Sequence, residues 1–149
     1  QAPLPKDPIT VMTSIEYRLN APLTLAEFIE LYRASTLAER RPAGDADVMQ
    51  QMMENANLTI SAWDGARLVG ISRCLTDHAY VAYLSDLAVA KSHQGRGLGR
   101  QLIAETKRAL GKGCSIVLFA APAGDDFYPR VGFTRNAKGW VLPGDAKVR

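Results

Sequence analysis

The chain is short of the residues that build staples and metal centres. Of its 149 residues, two are cysteine (Cys74 and Cys114) and two are histidine (His78 and His93). Two cysteines cannot make the disulfide framework of a small secreted domain, and neither stands at a ligand spacing from a histidine. Buried free thiols and no metal are therefore expected. Long apolar runs are missing as well: none approaches the ~20 residues that cross a bilayer, so no membrane partner is expected. Charge of one sign is scarce. With 18 basic against 15 acidic residues, the net charge of +3 is mild. No Lys/Arg block argues for nucleic acid, and the small excess suits a phosphorylated ligand. The opening Gln1-Ala2-Pro3-Leu4-Pro5 has no apolar leader segment, and a cytoplasmic setting is expected.

What the chain does have is the balance of an ordinary globular domain, 47% apolar and 22% charged. A chain of this length can bury roughly two-thirds of its unfolded surface in one core. Residues 1–14, with three prolines, read as a loose arm before a single domain over residues 15–149. Alternation over Ile15–Asn20 predicts a first strand. Thr24 and Glu27 form a capping-box signature for a helix over Leu25–Ala34. Asp45 or Asp47 can cap a second helix through Val48, Met49, Met52 and Met53, a stripe that suits either core or an adaptable substrate wall. From Asn57 the period becomes two. Leu58–Trp63, an Asp64-Gly65 turn and Arg67–Leu75 predict a hairpin, and Tyr80–Val89 a third strand of an antiparallel meander. The unbroken apolar run Ser115–Ala121 predicts a central strand buried on both faces. A short helix over Asp125–Val131 and a last strand at Trp140-Val141-Leu142 complete the pattern.

The most informative stretch is Tyr83–Val89, then Gln94-Gly95-Arg96-Gly97-Leu98-Gly99, then Arg100 onward: a strand, a glycine-rich turn and a helix. Leu98, Leu102, Ile103, Thr106 and Leu110 recur at helical spacing, closed by Gly111 and Gly113. Glycines admit φ > 0 and keep Cβ atoms away from an approaching ligand. The first amides of a helix, with the positive end of its dipole, suit a phosphate or pyrophosphate. Arg96 and Arg100 add charge there. Arg100 stands where a dinucleotide fingerprint needs its last glycine, and the Gly-Lys-Ser/Thr of a P-loop is absent.

The pattern Gln94-x-x-Gly97-x-Gly99 after Leu87-Ala88-Val89 resembles the acyl-CoA pyrophosphate loop of the GNAT family of N-acetyltransferases. The element order is similar to that family over about residues 15–142. The resemblance implies a mixed α+β fold, a mostly antiparallel sheet flanked by helices whose two parallel strands splay apart at the CoA site. It implies acetyl-CoA as cosubstrate, bound by Gln94, Gly95, Arg96, Gly97, Leu98, Gly99 and Arg100, with main-chain groups of Leu87, Ala88 and Val89 along the pantetheine. The Leu87 amide then faces the acetyl carbonyl. Phe127-Tyr128-Pro129-Arg130-Val131-Gly132-Phe133 is similar to the family segment whose tyrosine acts as general acid, which assigns that role to Tyr128. A phenol protonated at pH 7 is matched to a leaving thiolate. Asp86, the acid of that strand, reads either as general base or as a carboxylate satisfied by backbone or Arg hydrogen bonds. His78 is a second candidate base. His93 precedes the loop and reads as its cap or as a border of the CoA phosphates.

The function implied is transfer of acetyl to a primary amine of a small molecule in a ternary complex. Acetylation of a protein N-terminus or lysine, and a non-catalytic CoA-binding sensor, remain as alternatives. The resemblance also leaves a homodimer open.

Overall fold

The computed structural model of the protein describes residues 14–149, so the arm expected over residues 1–14 lies, except for Ser14, outside the described residues. The described chain forms two compact units, one ending at Leu118 and the other Phe119–Arg149.

The first unit is a five-stranded sheet in the order β1-β2-β3-β4-β5: Glu16–Leu19, Leu58–Asp64, Arg67–Thr76, Val81–Val89 and Ser115–Val117. The first four strands are antiparallel neighbours, and β5 runs parallel to β4. Local chemistry accounts for the elements. Helix α1 spans Leu25–Ala34, and the Thr24 side chain accepts from the Glu27 amide at its start. Helix α2 spans Ala46–Asn55, capped by Asp45, whose carboxylate accepts from the Val48 amide. Such a cap satisfies an amide that the helix cannot, for about 1 kcal/mol. The β2–β3 hairpin turns at Gly65-Ala66, one residue later than expected, with Asp64 paired to Arg67 and Gly65 at φ +58°. The ladder is irregular between Ala62 and Trp63, where Val69 of β3 is the extra residue.

The sheet is covered on both faces. On one, α1 packs on β3 and β4 with Phe28, Leu31 and Tyr32 buried, and α2 packs on α1 with Met49 buried. On the other lies α3 (Leu98–Ala109), with Leu102 and Thr106 fully buried. There the Ser72 and Thr106 hydroxyls meet at 2.7 Å. A Cβ on Gly70 would stand 3.1 Å from Leu102, so the glycine lets α3 approach closely. Each such buried Phe or Leu contributes about 1.5–3 kcal/mol relative to exposure.

Two expectations are corrected. The apolar run from Ser115 is not a central strand: β5 has three residues and stands at the sheet edge, with Val117 48% and Phe119 61% exposed. Being paired on one side only, it needs no double-faced burial; the run length misled. Nor does Trp140-Val141-Leu142 form a strand. Those side chains are 93%, 69% and 61% exposed, and no strand among the described residues pairs with them. High β-propensity without a partner makes no strand.

The second unit holds a 3-10 turn at Pro122–Gly124 and the short helix α4, Phe127–Arg130. It falls within the stretch expected to be helical. Among the described residues, no helix is long and apolar enough to cross a membrane. Cys74 and Cys114 are both free and buried.

Candidate active site

Strand β4 alternates as its sequence requires: Ala82, Leu84, Asp86 and Ala88 are buried, while Tyr83, Ser85, Leu87 and Val89 are more open. Its ladder with β5 holds only Val81↔Ser115, Ala82↔Ile116 and Tyr83↔Val117. The ladder stops at Tyr83 because β5 ends at Val117, so the backbone of Leu87, Ala88 and Val89 has no β5 partner. On the other side, β3 pairs with β4 through a bulge: Arg73 faces Asp86 and Cys74 faces Leu84, leaving Ser85 as the extra residue.

After Val89 the chain makes a 3-10 turn, Lys91–His93, and enters the glycine loop. The Gln94 side chain donates to the Val89 carbonyl at 2.9 Å, so it turns the chain out of the strand. Gly95 and Gly97 lie at φ +75° and +84°, the left-handed region that penalises any side chain. Gly97 is the N-cap of α3 and offers no side-chain cap. A Cβ on Gly95 or Gly97 would meet no protein atom within 4 Å. Packing therefore does not demand these glycines; backbone conformation does, and the space beside them is open. Gly99 lies in the first turn of α3, with Leu98 buried and Arg96 and Arg100 exposed. Amides at a helix start, a positive dipole end and an open approach fit a pyrophosphate.

Behind β4 is a cluster that the local sequence does not announce. Asp86 is 1% exposed. One oxygen accepts from Arg41 Nε at 2.5 Å and the other from Arg73 Nε at 2.5 Å. The Tyr32 hydroxyl also donates to it. Both arginines reach the bulge as well: Arg41 donates to the Ser85 carbonyl at 2.8 Å, and Arg73 to the Ser85 hydroxyl at 2.9 Å. A third Arg73 donor meets the Met52 carbonyl at 3.3 Å, which ties in α2. Burial, then the nearby Asp86 charge, push the Tyr32 phenol well above its usual range, so it stays a donor. Burial opposes the charge on Arg73, but the Asp86 carboxylate and the Tyr32 hydroxyl together outweigh it, and that guanidinium is held charged. Two arginines against one carboxylate leave a net positive charge, pinned to the bulge at Ser85, two residues before Leu87.

Tyr128 belongs to the second unit, on α4. Its ring makes edge contacts with Phe127 and Phe133, centroids 5.2 and 5.4 Å away. Gly124 lies against it: a Cβ there would stand 2.8 Å from Tyr128 Cε2. Burial raises the phenol's pKa, which keeps its proton in place. His78 sits exposed in the β3–β4 loop at φ +64°. His93, by contrast, is buried and bonded to Asp64 and Ser92. Burial holds the Cys74 thiol up at about 11, in its unreactive form. Among the described residues, no group of three His, Cys, Asp or Glu could hold a metal ion. Sequence reasoning missed Tyr32, Arg41, Arg73 and Asp64. The one signal for the first three was an acid inside an apolar strand, which demands partners without naming them.

A mixed sheet whose short parallel pair leaves the end of β4 without a β5 partner, followed by a glycine loop at a helix start, defines an N-acetyltransferase type of fold. Comparison with known proteins agrees. The family model described as the acetyltransferase (GNAT) domain matches residues 33–139, a span that runs through both units. The protein belongs to the GNAT family. It is 34% identical over 97 residues to an uncharacterized ycf52-like N-acetyltransferase of Prochlorococcus marinus, a match covering 61% of this chain and 54% of that protein. The chain thus spans about half the length of that relative. Among solved structures, a GNAT family acetyltransferase of Streptococcus pneumoniae superposes with a TM-score of 0.73 at 21% identity, covering 89% of this chain and 100% of that one. The aminoglycoside N-acetyltransferase AAC(6')-Iy, solved in complex with CoA, gives a TM-score of 0.67 at 17% identity, covering 89% and 96%.

Proposed function

We propose that the protein transfers the acetyl group of acetyl-CoA to a primary amine of a small molecule, directly, within a ternary complex. One observation carries the reading: an uncapped helix start with two left-handed glycines and open space, following the stretch of β4 that has no β5 partner. Amides of Gly95–Arg100 would take the pyrophosphate, with Arg96 and Arg100 adding charge and Gln94 shaping the turn. The backbone of Leu87, Ala88 and Val89, without a β5 partner, would pair with the pantetheine arm as an added strand does. The cosubstrate supplies an activated acetyl thioester. The amine nitrogen forms a bond to the carbonyl carbon, negative charge on its oxygen is met by the Leu87 amide, and the C–S bond breaks. Tyr128 gives its proton to the departing sulfur, and the amine releases one to water.

For Asp86 the geometry favours positioning over proton transfer. Its two oxygens already accept three hydrogen bonds, and its side chain is fully enclosed. We assign it the task of holding the bulge, and with it the Leu87 amide, in place. A small acceptor is supported by a hollow of about 250 Å³ on the Arg73 side of the sheet, lined by Phe28, Met53, Glu54 and Arg73 among others. The CoA-bound aminoglycoside N-acetyltransferase of the same fold, named for a small-molecule acceptor, adds support.

The thermal midpoint measured with acetyl-CoA, CoA, NAD and ATP, followed by thiol release with a panel of amines, tests this. A saturable rise with the two CoA species alone, and release driven by small amines, is expected. Release driven only by peptides would move the acceptor to protein. A rise without any release would make the chain a CoA sensor. No rise at millimolar ligand would mean that the glycine turn is structural, and the proposal falls.

A further inference from the structure

The chain enters the glycine loop through a buried histidine that the transfer chemistry does not use. His93 is 6% exposed, although its neighbours Ser92 and Gln94 are exposed. Its Nε2 lies 2.7 Å from Asp64 Oδ2, and its Nδ1 lies 2.7 Å from Ser92 Oγ. Asp64 is the last residue of β2, at the corner where the chain turns into β3. A carboxylate only accepts, so Nε2 carries a hydrogen and donates to Asp64. Neutral Nδ1 then accepts from the Ser92 hydroxyl; protonated, it donates to the same oxygen. Either way, every polar atom of the ring is satisfied and the bridge to Asp64 persists. The backbone makes a parallel tie, since the Ala90 amide donates to the Val69 carbonyl of β3 at 2.8 Å.

We infer that Asp64–His93 is a clamp that anchors the mouth of the loop to the β2–β3 hairpin, and that His93 is a positioning residue for cosubstrate binding. The inference rests on the reading of the loop as the acetyl-CoA site. The physical case is preorganisation. Gly95 and Gly97 have the weakest backbone preferences of any residue type, and no side chain caps α3. A loop of that kind samples many conformations unless both ends are fixed. Its far end is fixed by α3, whose Leu98 and Leu102 are buried. Its near end is fixed by the imidazole. Ordering the loop before the ligand arrives removes a cost that binding would otherwise bear.

The test is a double-mutant cycle read by acetyl-CoA titration calorimetry and by amide hydrogen exchange of the unliganded protein. His93→Ala and Asp64→Ala should each weaken acetyl-CoA binding by about tenfold, as for one lost charge-assisted hydrogen bond. The double variant should also lose about tenfold rather than a hundredfold, because both changes remove the same bridge. His93→Gln, which keeps a donor at the Nε2 position, should bind within about threefold of the parent, while the shorter His93→Asn should not. If His93→Ala fails to fold, the Gln and Asn pair carries the comparison. In the unliganded protein, amides of residues 94–98 should exchange about tenfold faster in His93→Ala, with Ile103 and Thr106 unchanged. Additive losses, unaltered binding in His93→Ala, or exchange that rises equally throughout α3 would overturn the clamp. A parent protein that binds no acetyl-CoA would sink the loop reading instead, and the exchange data would still decide the clamp.

Discussion

Replacing Asp86 by alanine separates a positioning carboxylate from a general base. The substitution leaves two guanidiniums and the Tyr32 hydroxyl facing a vacated space. The Arg73 side chain is 7% exposed and cannot recruit water, whereas that of Arg41, at 27%, recovers part of its solvation. Breaking a buried pair by removing one partner costs about 3–5 kcal/mol. A value near 4 kcal/mol suits one fully and one partly enclosed arginine. Unfolding entropy of about 2.1 cal/mol/K per residue gives about 0.3 kcal/mol/K for a chain of this length, so the midpoint should fall by about 10–15 °C. Scanning calorimetry reads this directly. Removing Arg41 as well relieves one orphaned charge, so Asp86→Ala/Arg41→Ala should fall short of the sum of the two single losses. Turnover, measured well below the midpoint, should drop far less than for loss of a catalytic base. A midpoint within about 3 °C of the parent, with turnover down ~10³-fold, would refute the reasoning and return Asp86 to the role of base.

Gly97→Val should abolish acetyl-CoA binding in titration calorimetry, because it forces a branched side chain into φ +84° and into the open space where the anion is expected; retained affinity would remove the loop from the site. Tyr128→Phe should lower turnover by ~10²-fold or more with little change in acetyl-CoA affinity. Since burial raises the pKa of Tyr128 and the acid is needed protonated, its activity is lost only as pH rises through that raised value. Any alkaline fall in rate caused by Tyr128 should therefore lie above the ordinary tyrosine range of about 10. Cys74, held protonated up to about pH 11, should carry no acetyl group when the reaction is quenched and analysed by mass spectrometry. An acetylated Cys74 formed on the reaction path would break the direct-transfer mechanism.

Features encoded by neighbours in the chain are legible in the sequence alone. Thr24 and Glu27 mark the start of α1, and its observed bounds, Leu25–Ala34, follow the apolar spacing. The step from β4 through two glycines into α3 can be read because strand alternation, positive-φ residues and helical periodicity are all local signals. The buried face of β4, with Asp86 on it, follows from the period of two.

Tertiary structure decided what depends on distant partners. Asp86 lies 54 residues from Tyr32 and 45 from Arg41, and no spacing rule connects them. Folding α1 and the following loop onto β4 is what turns an isolated acid into the hub of a bulge. His93 gained its meaning in the same way, from an aspartate 29 residues earlier. The apolar runs at Ser115 and Trp140 show the reverse. Their composition says only that they tolerate a sheet; whether a strand forms, and whether it is central or edge, is set by the backbone that comes to lie beside it. Short-range sterics and periodicity wrote the elements and the loop. Long-range pairing, whose energy exists only once the chain has closed, chose the partners.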